Sequence, residues 1–302
     1  MTLEADHIID RRRLKRRLTF WRLVAIAVAV SAGVIAVTRF DLTSGGDHVA
    51  RLYVDGLIFN DEDRSEAIAK VRKNKSAKAL MVVINSPGGT FVGSEILYKD
   101  LLEVAEKKPV IAVMEGTAAS GGYMTALAAD HIIAHAGTLT GSIGVIMQTA
   151  DITGLLDKIG VKPETVKSGP LKAQPNPMEE FSLEARAATQ NLLQDLFNMF
   201  IDMVTERRKL SRDVVEKLAD GRVYSGRQAQ QNGLIDAIGD QKTARKWLED
   251  NRKVPASLPF QNVKIEHEDE PWRDIFGGTL GKMVFSERLR LDGIIALWHP
   301  EL

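Results

Sequence analysis

ALMVVINSPGG at residues 79–89 and VIAVMEGTAASGGY at 110–123 decide the fold. Each is an unbroken apolar run followed at once by a loop rich in Gly, Ser and Ala. A strand with one wet face alternates polar and apolar residues, whereas a strand covered on both faces does not. Residues 79–84 and 110–114 therefore read as strands buried on both faces. Between them, residues 92–107 carry apolar positions at helical spacing and stop before Pro109. Strand, helix, strand in this order predicts an α/β domain with a largely parallel sheet.

The same rhythm extends in both directions. Residues 50–58 read as a strand and 63–74 as a helix. A small-residue helix is expected over 121–129, with strands at 131–134 and 143–148. A long helix over 183–210 carries Leu192, Leu193, Leu196, Phe197, Phe200, Ile201 and Val204, a stripe that reads as core or subunit interface. A further unit runs over 223–238, with a helix at 242–251. The tail, 252–302, ends in an apolar patch at 294–298 and has no assigned role.

The 302 residues hold 40 Lys and Arg against 40 Asp and Glu, but unevenly. Residues 1–22 contain seven bases and three acids, which leaves 33 bases and 37 acids elsewhere. No broad basic surface follows, so nucleic acid is not expected as a partner. The chain has no cysteine, so a thiol nucleophile, disulfides and thiolate metal sites are excluded. Residues 23–38 are sixteen in a row without charge, flanked by Arg22 and Arg39. As a helix they would span roughly 24 Å, close enough to a bilayer core for Phe20, Trp21 and the two arginines to reach the interfaces. The expected organisation is a basic cytoplasmic tail (1–22), one transmembrane anchor (23–38), a linker (39–48), an exported catalytic domain (49–251) and the tail. A cleaved signal peptide is the rival reading of the first segment.

Two glycine-rich loops follow consecutive buried strands, at 85–89 and 116–123. In a parallel sheet the C-terminal strand ends gather on one edge, where ligands bind. Ser120 stands where a helix should start, a position that suits both an N-cap and a nucleophile. Its base is not legible from spacing. His7, His48, His131, His135, His267 and His299 show no pairing with an orienting acid. A lysine can serve if burial lowers its pKa, and Lys158, Lys162, Lys167 and Lys172 all remain open on chain position alone.

INSPGG (84–89), GTAASGGYMTALAAD (116–130), TGSIGV (140–145), VKSGPLKA (166–173) and GRVYSGRQAQQNGLID (221–236) together resemble the signal peptide peptidase A family, in its short bacterial form. The resemblance covers roughly residues 48–250. It implies a Clp-protease/crotonase-like fold and a serine endopeptidase with a Ser–Lys dyad and no cofactor or metal. Ser120 matches the nucleophile, Lys172 the general base 52 positions later, and Ser142 a serine that orients the lysine amine. The backbone amides of Gly88, Gly89 and Gly121 would hold the oxyanion. It further implies a bacterial inner-membrane location, apolar signal-peptide remnants as substrates, and a homo-oligomer in which the lysine comes from the same or a neighbouring subunit. Three rivals stand beside it. A Ser–His–Asp triad would need a histidine about 25 residues after the serine, where Gly144–Gln148 has none. A crotonase-like acyl-thioester enzyme would need neither Ser120 nor Lys172. A non-catalytic membrane scaffold would keep the fold without the chemistry.

Overall fold

The computed structural model of the protein describes residues 17–31, 46–266 and 295–297. The chain divides into two compact units, Met1–Gly46 and Asp47–Leu302. In the first, residues 17–31 form helix α1. Phe20, Trp21, Leu23, Ile26, Val28 and Val30 on it are all exposed. Among the described residues no helix is long and apolar enough to cross a membrane. The expected anchor, 23–38, runs past the end of α1 into residues outside the described ones.

The second unit opens with β1 (His48–Ile58), α2 (Glu62–Lys73), β2 (Ala77–Thr90), α3 (Phe91–Ala105), β3 (Val110–Ala119), α4 (Gly121–Ala126), β4 (His131–Ala134) and β5 (Leu139–Gly141). It continues through α5 (Thr153–Lys158), α6 (Leu183–Arg208), α7 (Arg212–Leu218), β6 (Val223–Ser225), α8 (Gly226–Gln231), β7 (Ala237–Ile238), α9 (Gln241–Arg252), β8 (Phe260–Asn262) and β9 (Ile295–Leu297). The sheet runs β6-β5-β3-β2-β1-β8, with β4 also on β3, β7 on β4, and β9 on β2. All pairings are parallel except β5 with β6 and β2 with β9. The predicted α/β class and largely parallel sheet are found.

The unbroken apolar runs have the expected cause. Along β2, Leu80, Val82 and Ile84 enter the larger core, beneath α3, α4 and the C-terminal half of α6. Their neighbours Ala79, Met81 and Val83 enter a smaller core closed by Ala244 and Leu248 of α9. Strand β3 divides in the same way, Ala112 and Met114 against Ile111 and Val113. Because both faces of these strands are dry, neither has a polar side.

Three boundaries differ from expectation. Strand β2 does not stop at Ile84 but continues to Thr90, because Leu57 and Ile58 of β1 pair with Gly88 and Gly89, while β9 pairs with residues 88–90. The expected strand 143–148 is instead β5 at 139–141. Beyond it Ser142 adopts φ 48° and the chain leaves the sheet, with an isolated bridge at Ile146. The stripe of α6 splits: Phe200, Ile201 and Val204 are core, whereas Leu192 is exposed.

His131, at the start of β4, shows what burial does to a titrating group. Its ring stacks on Trp247 at 4.6 Å, and Nδ1 lies 3.6 Å from Asp236, itself paired with Arg208. Burial lowers its pKa below the usual 6.5, against the opposing pull of Asp236. The folded state therefore resists protonation that the unfolded chain accepts. His131 stabilises the fold above about pH 6.5, and that contribution is lost as pH falls from there toward the folded-state pKa. Thermal melting followed between pH 7.5 and 5 is expected to give a Tm that drops less steeply for His131→Phe than for the unaltered chain. Equal slopes would remove His131 from the account.

Candidate active site

Strand β3 ends in Ala118 and Ala119, both buried, and the chain then turns sharply at Ser120 into α4. Ser120 has φ 52° and ψ −117°, outside the regions that residues with a side chain normally occupy. Such a conformation costs about 1–3 kcal/mol and persists only where the surroundings fix it. Here Ser120 N–H donates to the Gly141 carbonyl at 2.8 Å, and Met124 N–H donates to the Ser120 carbonyl at 2.9 Å. Tyr123 in the first turn of α4 is fully buried, and its hydroxyl donates to the Leu234 carbonyl at 2.8 Å. The Ser120 side chain makes no capping hydrogen bond. The bland reading of this serine as a helix cap therefore fails.

The second serine is brought alongside by strand register. Ala118 and Ala119 pair with Thr140 and Gly141, so Ser142 follows directly after the residue that receives the Ser120 amide. Ser142 is buried, has φ 48°, and donates its own N–H to the Arg222 carbonyl at 2.9 Å. Two non-glycine residues with left-handed φ thus stand on adjacent segments. Gly141 between them has to be glycine: its φ is 78°, and a Cβ there would lie 2.6 Å from the Tyr224 ring. Thr140 Oγ1 donates to the Ala118 carbonyl at 2.7 Å and locks the pairing from inside the core.

The loop 85–89 lies against the same turn. A Cβ on Gly122 would meet the Ser86 carbonyl at 2.7 Å, and one on Gly89 would sit 1.9 Å from the Ile58 carbonyl. Neither position has room for a side chain. Asn85 Oδ1 accepts the Thr117 N–H at 3.2 Å and ties the two loops together. Ser86 is fully buried, and its hydroxyl accepts the Gly88 N–H at 3.1 Å. Of the three expected oxyanion donors, Gly88 is thus already engaged. Sequence reasoning missed Asn85 and Ser86. The only signal was two polar residues directly after a strand with no other polar position.

No hydrogen bond joins the Lys172 amine to Ser120 within the chain. Lys172 lies exposed in a turn, its N–H bonded to the Gly169 carbonyl at 3.1 Å, and its amine has no hydrogen bond or ion pair among the described residues. The other lysines of this arm divide clearly. Lys158 and Lys162 are exposed, while Lys167 is ion-paired with Glu179, which also accepts from Gln174 and Asn176. That network holds the arm in shape around Lys172. No described histidine bonds to Ser120: His131 stacks on Trp247, and His135 pairs with Glu115 at 3.1 Å. His7, His267 and His299 lie outside the described residues.

The sequence profile of Peptidase family S49 matches residues 103–255, a span that contains Ser120, Ser142 and Lys172. The chain belongs to peptidase family S49. Its relatives include a putative protease of Synechocystis sp., 38% identical over 253 residues, which cover 82% of this chain and 90% of the relative. Another is the chloroplastic serine protease SPPA of Arabidopsis thaliana, 33% identical over 273 residues, covering 84% of this chain and 39% of that longer protein. The S49 chain is a serine peptidase of the signal peptide peptidase A type, and the resemblance drawn from its motifs holds. Among solved structures, a serine-to-alanine mutant of the membrane-bound stomatin-specific protease 1510-N is similar in fold. The TM-score is 0.50 at 14% identity, over 74% of this chain and all of that one.

Proposed function

We propose that this S49 chain is a membrane-anchored endopeptidase that cleaves apolar peptides through Ser120, with Lys172 as general base. The carrying observation is Ser120 itself: an uncapped hydroxyl held at φ 52° on the end of a buried strand, with Ser142 in the adjoining register position. Ser120 Oγ attacks the scissile carbonyl as its proton passes to the Lys172 amine, which Ser142 orients. The oxyanion is met by the amides of Gly121 and Gly89, and by that of Gly88 once it releases Ser86. The amine then protonates the leaving nitrogen, and water hydrolyses the acyl-enzyme.

An amine that accepts a proton at neutral pH has first to leave water, and in the single chain Lys172 lies in it. The arm around it exposes Ile146, Leu155, Ile159, Val161, Leu171 and Met178. An apolar surface of this kind suits a contact between subunits. We therefore assign Lys172 to the Ser120 of a neighbouring copy in a closed oligomer. The exposed apolar side chains of α1 favour an anchor in the bacterial inner membrane, with the peptidase domain outside the cytoplasm. Cleaved signal-peptide remnants are the substrate class that fits.

Residues 295–297 pair antiparallel with Gly88, Gly89 and Thr90, so this edge accepts an extended chain in that direction. A substrate strand in the same register has to displace them. Removing residues 294–302 is expected to lower KM severalfold with kcat little changed, read from initial rates on an apolar fluorogenic peptide. An unchanged KM would place substrate elsewhere.

The test of the function as a whole is covalent labelling. A fluorophosphonate is expected to add once per reactive chain, on the tryptic peptide that contains Ser120. Absence of both an adduct and hydrolysis across a broad peptide panel would return the scaffold reading.

A further inference from the structure

The active-site loops occupy the C-terminal edge of the parallel sheet; the opposite edge has a different character. There β1, β2 and β3 begin, at His48, Ala77 and Val110. The segments 72–78, 107–109 and 252–258 build two adjoining hollows of about 350 and 340 Å³, which share Lys78 and Pro109. Their walls carry eight Lys and Arg side chains and one acid, Asp47, which is paired with Lys78 at 2.9 Å. The chain as a whole is neutral, so this rim is a local concentration of positive charge.

Most of that charge is left unmatched. Arg72 pairs with Glu103, and Arg252 stands 3.5 Å from Asp130. Lys73, Lys75, Lys107 and Lys253 are exposed, and none has an acidic partner among the described residues. Lys108 is fixed, its ammonium donating to the Val71 and Asn74 carbonyls at 2.7 and 2.8 Å. Its pKa is lowered by burial and then by the nearby charges of Lys78 and Lys107. Like charges are thus crowded together, and five of the eight have no acidic partner among the described residues. A surface of this kind attracts an extended anionic partner.

Chain connectivity selects the partner. Asp47 lies on this rim, and β1 starts beside it. Residue 46 follows α1 by fifteen positions, a tether of roughly 50 Å at full extension. On the anchor reading, this rim is the part of the domain at which the chain leading from α1 enters it.

We propose that this basic rim docks on the anionic phospholipid headgroups of the membrane that holds the chain. The proposal rests on the anchor reading. It is tested with the full chain in nanodiscs of phosphatidylcholine alone or of phosphatidylcholine mixed with phosphatidylglycerol, followed by hydrogen–deuterium exchange. The mixed discs are expected to slow exchange severalfold in peptides covering 72–78, 106–109 and 252–258, and to leave 116–130 unchanged. The triple variant Lys75→Glu, Lys107→Glu, Lys253→Glu is expected to lose this protection while melting at the same temperature. The corresponding triple arginine variant is expected to keep it. Equal exchange in the two lipids would overturn the proposal. So would the same protection produced in phosphatidylcholine discs by inorganic phosphate or by RNA, since either would assign the rim to a soluble anion. A chain that enters neither kind of disc would remove the anchor and this proposal together. The fluorophosphonate adduct at Ser120 would report separately on the peptidase.

Discussion

Ser120→Ala is expected to lower kcat for an apolar peptide by at least about 10⁴-fold, the scale on which loss of a serine nucleophile acts. It should also remove the fluorophosphonate adduct while leaving the fold intact. The methyl group fits the space of the hydroxyl's carbon, and no capping hydrogen bond is lost, because Ser120 makes none. The bonds that hold the turn, to Gly141 and from Met124, are backbone to backbone and survive the change. Circular dichroism and melting should therefore match the unaltered chain. Retained hydrolysis by a well-folded Ser120→Ala protein would end the nucleophile assignment.

Lys172→Ala is expected to be as damaging to turnover and equally harmless to stability, since the side chain is exposed and unpaired in the single chain. Its sharper use is in combination. If each site takes its serine from one copy and its lysine from the next, two inactive variants can repair one another. Co-refolding equal amounts of Ser120→Ala and Lys172→Ala chains should then restore about a quarter of the full rate, the share of heterologous contacts that join an intact serine to an intact lysine. Each variant alone should stay silent. A mixture with no activity would place the relay within one chain. Full activity of Lys172→Ala alone would remove this lysine from the chemistry.

The parts of the fold that the sequence discloses are those decided by local burial. Strands 79–84 and 110–114 are plain because both of their faces are covered, so their composition carries no other message. The extension of β2 through Asn85–Thr90 was hidden because Pro and paired Gly are turn formers. The pairing that overrides them comes from Leu57 and Ile58 on one side and from residues 295–297 on the other. Contacts so distant in sequence leave no periodic trace. The β5 boundary was misplaced for a related reason. The short ladder at 139–141 is fixed by Thr140 reaching the Ala118 carbonyl, a bond between positions 22 apart.

The site divides along the same line. Ser120 was marked by its place between a buried strand and a run of small residues, and Ser142 by resemblance. The supporting roles of Asn85 and Ser86 depend on which strands lie side by side, and one dimension does not show that. The four lysines of the arm were indistinguishable on spacing. The Glu179 ion pair sets Lys167 apart, and Lys172 is exposed without a hydrogen bond or ion pair of its amine among the described residues.

Strand β3 also acts as a ruler. It runs ten residues from the basic rim to the nucleophile, roughly 30 Å at the usual rise of a strand. A domain docked on that rim, as proposed above, would hold its nucleophile roughly that far from the headgroups. At that height a hydrophobic helix still buried in the membrane would be out of reach. On that docking, chains already slipped free of the lipid would be cleaved and intact residents of the membrane spared.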